Sequence, residues 1–105
     1  MILSSMETIP GKKVVKSLGI AKGNTIRARN IGKDILAVFK NMIGGEIEEY
    51  TKLMGEAREQ ALDRMKGMAE ELGADAIINV RFATSYIMAN AAEILVYGTA
   101  VKLKN

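Results

Sequence analysis

The stretch GADAIINVRF, residues 73–82, follows a long charged helical pattern and changes at once into a run rich in β-branched residues. Glycine at its start suits the end of a helix, because glycine adopts the left-handed backbone conformation at little cost. Apolar side chains then alternate with others, which predicts a strand from Ala76 to Ala83. On strict alternation, the face expected to lie against the helix consists of Ala76, Ile78, Val80 and Phe82. The face that points away from the helix consists of Ile77, Asn79, Arg81 and Ala83.

A second strand is predicted from Ala91 to Leu103, after a loop at residues 84–90. Every second residue of this strand is small or apolar and should face a helix; these residues are Ala92, Ile94, Val96, Gly98 and Ala100. A hairpin centred near Ile87 would place Arg81 across from Glu93. The same register would place Asn79 opposite Leu95, and Ile77 opposite Tyr97.

Upstream of this hairpin, apolar residues three or four positions apart predict a long helix from Glu46 to Leu72. The apolar stripe consists of Ile47, Tyr50, Met54, Ala57, Ala61, Met65, Met68 and Leu72. Two alanines in the middle of the stripe permit close approach to a sheet. Arg58 lies near the edge of the stripe and is expected to reach a neighbour.

The N-terminal half contains two loosely alternating runs between Lys13 and Arg29, on either side of Lys22-Gly23-Asn24, which predicts another hairpin. A shorter helix is predicted from Asn30 to about Ile43, with Gly44-Gly45 ending it. The expected fold is therefore a single α+β domain over residues 1–105, in the order ββααββ. Its two layers are an antiparallel sheet and a long helix accompanied by the shorter one.

One predicted sheet face mixes leucine, valine, tyrosine, arginine and glutamate, which suits neither bulk water nor a monomer core. Such a mixture is typical of a subunit interface. We predict that Arg81 pairs with Glu93 at or near a subunit contact. The structural or interface candidates are Arg81, Glu93, Asn79, Tyr97, Tyr50 and Arg58.

Composition excludes several chemistries, because the chain has neither cysteine nor histidine. A serine–histidine–acid triad, a cysteine nucleophile and a thiolate or imidazole metal site all need one of them. No catalytic residue or cofactor can be named. The seven methionines could bind a soft metal, but those of the long helix fall at core spacing. Adjacent carboxylates such as Glu48-Glu49 do not converge on one point.

The charge of +3 is unevenly distributed, with the basic residues concentrated in the first 45 positions. Basic strands beside an acidic helix can complement each other within or between subunits. Aromatic residues make up 5% of the chain, too few to build a base-stacking surface, so nucleic acid is not expected as a partner. No apolar run is long enough for a bilayer and no signal-peptide pattern is present, so a cytoplasmic location is expected.

Several ordered segments resemble the YbjQ-like family: LGIAKGNTIRARNIGKDI at 18–35, YTKLMGEAREQAL at 50–62, GADAIINVRF at 73–82 and AAEILVYGTAV at 91–101. The resemblance implies a dodecin-like subunit, assembly as a ring-like homopentamer and a heavy-metal-binding label. In this chain, the ligands available to a metal ion are methionine thioethers, carboxylates and backbone carbonyl oxygens.

The leading hypothesis is a non-enzymatic, self-assembling cytoplasmic protein that binds a small ligand, an ion or another protein. The first alternative is a metal-binding protein that uses methionine and glutamate as ligands. The second alternative is an enzyme with a site between subunits, lined by Glu93, Arg81, Tyr97 and Tyr50.

Overall fold

The computed structural model describes residues 1–28, 42–43, 46–88 and 91–105. These residues form one helix and six strands, which are β1 (Ile2–Leu3), β2 (Lys13–Ala28), β3 (Met42–Ile43), β4 (Glu46–Ile47), helix α1 (Glu48–Glu71), β5 (Ala76–Met88) and β6 (Ala91–Lys104). The main sheet has the strand order β1-β5-β6-β2, and β3 pairs with β4 separately. The α+β class is as predicted.

The main sheet is mixed, not purely antiparallel. Strands β5, β6 and β2 pair antiparallel, but β1 runs parallel to β5, with Ile2 opposite Ala76. The N-terminal residues were not predicted to form a strand, because a two-residue strand has no periodicity to detect.

Helix α1 matches the predicted long helix to within two residues at its start and one at its end. Its end has the geometry of a glycine cap: Gly73 has a positive φ of 79°, and the Ala74 N–H donates to the Ala69 carbonyl oxygen at 3.0 Å. At the other end, Glu46 and Ile47 belong to β4 and pair with β3. Among the described residues, no helical segment combines the length and apolar character that a bilayer crossing needs.

The predicted shorter helix lies largely outside the described residues. Its last two positions, Met42 and Ile43, form a strand and not a helical turn. The order ββααββ is therefore not confirmed, and the part of the chain that the structure describes contains one helix.

The predicted hairpin at residues 22–24 is wrong, because β2 runs unbroken from Lys13 to Ala28 along β6. Gly23 serves a different purpose from a turn. A Cβ atom at this position would overlap the Ala61 carbonyl oxygen and lie 2.5 Å from the Met65 backbone nitrogen. The glycine is required because the backbone of α1 passes directly over the strand.

The core between α1 and the sheet contains many small residues, which bring the two layers close together. Thr25 belongs to this layer and donates its hydroxyl to the Ala57 carbonyl oxygen at 3.1 Å. The predicted helix-facing row of β6 is confirmed. The buried cluster comprises Ala21, Ala57, Ala61, Met65, Ala69, Ile77, Ile94, Val96 and Ala100.

A second, smaller cluster lies on the other face of the sheet, where the N-terminal segment covers one end. Its buried members are Ile9, Ala76, Ile78 and Val101, with Val14 and Leu103 packed against them. Backbone hydrogen bonds hold the covering segment, since the Ser4 N–H donates to the Ile77 carbonyl oxygen at 2.9 Å. We call this whole face, which points away from α1, the outer face, and the part beyond the second cluster contains the candidate site.

A candidate assembly surface on the outer sheet face

A β-bulge in β5 changes which side chains reach the outer face. Asn79 has a positive φ of 54°, and the pairing with β6 shifts between Ile78 and Arg81. Ile78 lies opposite Thr99 on the outer face, whereas Val80 packs into the helix-side core. The predicted face that joined Ile78 with Val80 is therefore wrong, because the extra residue of a bulge breaks the alternation.

The register of the β5–β6 hairpin also differs from the prediction. Arg81 lies opposite Tyr97, and Glu93 lies opposite Ser85. The predicted pairing of Arg81 with Glu93 is wrong. The pairs predicted from the same register, Asn79 with Leu95 and Ile77 with Tyr97, are wrong as well. Strand β5 continues to Met88 through residues that were read as a loop, so the chain turns later than Ile87.

Arg81 instead binds the N-terminal segment that crosses the bulge. Its guanidinium Nη1 donates to the Ser5 carbonyl oxygen at 2.7 Å and to the Val80 carbonyl oxygen at 2.9 Å. Next to it, the Asn79 N–H donates to the Met6 carbonyl oxygen at 3.0 Å. The arginine thus holds the segment against the bulge, and the unusual backbone of Asn79 has a partner there.

Glu93 has a different partner, on the neighbouring strand. The Asn24 side-chain amide donates to Glu93 Oε2 at 3.2 Å. Asn24 belongs to β2, where it faces Leu95 of β6. Arg81 and Glu93 therefore contribute to two separate contacts on the same face of the sheet.

Large apolar side chains remain exposed on this face. Ile20 is 70% exposed, Ile26 is 57% exposed and Tyr97 is 40% exposed, with half-buried Leu95 beside them. We call these four residues the outer patch. Tyr97 lies between Lys22 on β2 and Arg81 on β5. An apolar patch framed by cations is suited to a partner surface.

The C-terminal half of β5 is also exposed on the side of the sheet that carries the helix. Helix α1 packs over β2 and β6. Phe82 and Tyr86 lie opposite Val96 and Ala92, on the side of the sheet that carries the helix. Tyr86 is nevertheless 87% exposed. Phe82, which was predicted to face the core, is exposed as well.

Both edges of the sheet have unpaired stretches within the described residues. Strand β1 pairs with Ala76 and Ile77, and at residues 81–88 the edge of β5 away from β6 is bordered by no strand of the described part of the chain. On the opposite side, β2 is the edge strand of the sheet that the described strands form. Unpaired N–H and C=O groups on a strand can accept a strand from another chain.

The six predicted candidates thus do not form one site. Arg81 and Tyr97 are adjacent, Asn79 lies at the bulge and Glu93 belongs to a separate contact. Arg58 is exposed on α1, across the sheet from the outer patch, and the Tyr50 side chain lies outside the described part.

Sequence reasoning missed Ile20 and Ile26, because the supposed hairpin hid their strand. A usable signal exists between positions 19 and 26: small residues alternate with larger ones, as one continuous strand against a helix requires. The small residues are Gly19, Ala21, Gly23 and Thr25.

The family model described as "Putative heavy-metal-binding", YbjQ, matches residues 1–104. The chain belongs to this family. A relative from Methanosarcina acetivorans named UPF0145 protein is 54% identical over 105 residues, which covers 100% of this chain and 99% of the relative. Another UPF0145 protein, from Halorubrum lacusprofundi, is 58% identical and covers 99% of this chain and 100% of the relative.

A solved structure shows the same fold at low sequence identity. It is the crystal structure of a protein of unknown function of the DUF74 family from Pediococcus pentosaceus. The TM-score is 0.68 at 14% identity, and the match covers 99% of this chain and 98% of the other. This similarity supports the α+β architecture alone.

The described residues do not fit a heavy-metal centre built from cysteine, histidine or carboxylate ligands. They contain no group of three or more His, Cys, Asp or Glu side chains that could hold an ion. Met65 is fully buried in the helix–sheet core, and the Met68 sulfur accepts the Lys22 N–H at 3.4 Å. Met65 therefore serves as a packing residue, whereas Met68 is partly exposed.

Proposed function

We propose that this protein is a non-enzymatic cytoplasmic protein that assembles with copies of itself, and that the assembly binds a small ligand, an ion or another protein. The number of subunits we propose is five, from the resemblance to the YbjQ-like family. The observation that carries the proposal is the outer patch, where Ile20, Ile26 and Tyr97 are exposed beside Leu95.

The outer patch has the character of an interface. Burying apolar surface contributes roughly 25 cal/mol per Å², so large exposed side chains favour a partner. Glu93 and Arg81 already have hydrogen-bond partners within the chain, so covering them would leave neither side chain without a hydrogen bond. Unpaired edges at β2 and at residues 81–88 of β5 provide backbone groups for the same contact.

An enzyme with a site between subunits is less well supported. The residues proposed for it, Arg81 and Glu93, face different partners on different rows of the sheet. General acid–base chemistry requires groups that converge on one reacting atom. Screening the purified protein for turnover of co-purifying metabolites tests this alternative, and a specific activity lost in Arg81→Ala would support it.

The assembly surface can be tested with two matched substitutions on β2. Ile20 lies in the outer patch, whereas Val15 is a 52% exposed residue at a bulge outside it. We expect Ile20→Asp to lower the particle mass measured by light scattering, because a carboxylate would be buried without a partner. Val15→Asp should leave the mass unchanged. Equal masses for the wild type and both variants would contradict the proposed surface.

Metal binding remains the second candidate because of the family description. Met6 and Met68 are exposed thioethers that could bind Cu(I). Calorimetric titration with Cu(I) would support this function if micromolar binding were lost in Met6→Leu/Met68→Leu. Binding that is absent, or that persists in this variant, would exclude these thioethers.

A further inference from the structure

Four lysines lie together at one end of the sheet, past the point where α1 ends. Lys13 lies directly opposite Lys104, and Lys16 lies directly opposite Lys102. All four side chains are exposed. We call them the lysine quartet.

The strand geometry puts all four on one face. Lys102 and Lys104 are two positions apart on β6, so they point the same way, and directly opposed residues share a face. Val14 and Leu103, between the two rows, instead pack into the second cluster on the outer face. A bulge at Val15 keeps Lys16 on the same side as Lys13.

The separations are short enough for one small anion to meet several amines. Cβ atoms of directly opposed residues are about 5 Å apart, and alternate rows on a strand are roughly 7 Å apart. Four flexible lysine arms on such a rectangle can converge over its centre. Lys12 lies next to this face and donates its ammonium to the Asn105 side-chain oxygen at 2.6 Å.

Little negative charge within the described residues offsets this cluster. Asp75 is the carboxylate that pairs with it, at 3.6 Å from the Lys102 ammonium. The same carboxylate also accepts the Leu103 N–H at 2.9 Å. Like charges directly opposed across a ladder are destabilising, so the lysine pairs, above all Lys13 with Lys104, should weaken the fold unless an anion neutralises them.

Protection of the exposed β2 edge against pairing with other chains does not fully explain why four lysines lie together. Lysines on edge strands discourage unwanted pairing with other chains, and β2 is such a strand. That purpose does not require a second lysine opposite each one, since glutamate there would avoid the repulsion. The facing pairs point to a ligand that supplies the missing negative charge.

We propose that the lysine quartet binds a polyphosphate group, meaning two or more linked phosphates, either free or carried by a nucleotide. Lysine is a common phosphate-binding residue and acts as a point charge. The quartet lies within a single chain, so this site rests on the ligand-binding part of the proposed function and not on assembly.

Calorimetry with inorganic tripolyphosphate, ATP and AMP tests the site. We expect tripolyphosphate and ATP to bind and AMP to bind much more weakly; binding of ATP without tripolyphosphate would assign the site to nucleotides. In Lys13→Gln/Lys104→Gln, affinity should fall by roughly tenfold or more, because each charged hydrogen bond contributes about that factor. The variant Lys16→Gln/Lys102→Gln should lose affinity by a similar factor. The control Lys52→Gln/Lys66→Gln removes two helix charges and should bind as the wild type does.

Thermal unfolding of the same samples gives a second readout with a distinctive sign. Without ligand, Lys13→Gln/Lys104→Gln should unfold at a higher temperature than the wild type, because the repulsion is relieved. With tripolyphosphate the wild type should gain stability and the variant should not. Wild-type affinity for tripolyphosphate in both quartet variants, an equal loss of affinity in the helix control, or binding of short single-stranded DNA without tripolyphosphate binding would overturn the proposal. Particle mass, measured in parallel, reports on assembly separately.

Discussion

The two faces of the sheet differ in the size of the side chains that they present. Beneath α1, β2 presents Ala21, Gly23 and Thr25, which are buried against the helix backbone. On the outer face the same strand presents Ile20 and Ile26, which are largely exposed. On the account proposed above, these larger apolar residues are covered by another copy of the chain.

This difference in side-chain size shows that the two faces of the sheet are stabilised in different ways. The helix face depends on close backbone approach, which a single methyl group would disturb. The outer face has no such constraint within one chain, and its apolar residues gain stability only when another surface covers them. Substitutions on the first face should therefore affect folding, and those on the second should affect assembly.

The largest effect is expected from Gly23→Ala. The new Cβ would overlap the Ala61 carbonyl oxygen and lie 2.9 Å from the Arg64 Cβ, and backbone atoms cannot move aside as a side chain can. We expect a loss of about 3 kcal/mol or more in the free energy of unfolding, measured with urea. Gly67→Ala is the control, because nothing lies within 4 Å of its Cβ, and it should stabilise α1 by roughly 0.5–1 kcal/mol.

A smaller loss is expected from Gly98→Ala on the central strand β6. Its Cβ would lie 2.6 Å from Ile77 Cγ2 and 2.9 Å from the Ile78 carbonyl oxygen. Ile77 is fully buried and can shift only slightly, so we expect a loss of about 1–3 kcal/mol by the same urea measurement. An unchanged unfolding midpoint would show that the helix face tolerates more volume than the comparison implies.

Sequence periodicity predicted the parts of the fold that repeat regularly. The three- and four-residue spacing of α1 located that helix closely, and strict alternation located the helix-facing row of β6. It failed at Gly23, because glycine signals both a turn and a close approach of two backbones. It failed again at Asn79, where one extra residue placed Ile78 on the outer face while Val80 kept the predicted helix side.

The candidate site was less predictable than the fold. The structure brought Arg81 beside Tyr97, but the pairing with Glu93 depended on a hairpin centre that the sequence does not mark. The partners of Arg81 are backbone carbonyl oxygens, which have no side-chain signature in a sequence. The lysine quartet depends on the register between β2 and β6, which no local pattern specifies.

A double-mutant cycle on Arg81 and Glu93 sharpens the account of the outer face. Arg81→Ala should lower the free energy of unfolding by about 1 kcal/mol, through the lost hydrogen bond to Ser5, and Glu93→Ala by less than about 0.5 kcal/mol. Because the two residues bind different partners, the effects should add to within about 0.5 kcal/mol. A larger coupling at fixed protein concentration would mean that the pair meets in the assembly.

The smallest effect is a pH dependence at Asp75. The Leu103 N–H, assisted by the Lys102 ammonium, lowers the pKa of the Asp75 carboxyl below its ordinary value. Because the folded pKa is lower than the unfolded one, the carboxylate stabilises the fold above about pH 4. This contribution is lost as the pH falls through the folded pKa. The stability difference between wild type and Asp75→Asn should thus be present at neutral pH and shrink in acid, with Asp63→Asn as the control for net charge.

The most direct test of the central claim, that the outer face is covered by another copy of the chain, is sedimentation equilibrium of the wild-type protein over a wide concentration range. We predict a particle of five 11.4 kDa chains that persists on dilution and that Ile20→Asp reduces in mass. A single 11.4 kDa species at every concentration would contradict the claim, since the exposed isoleucines and Tyr97 would then face water in the native protein.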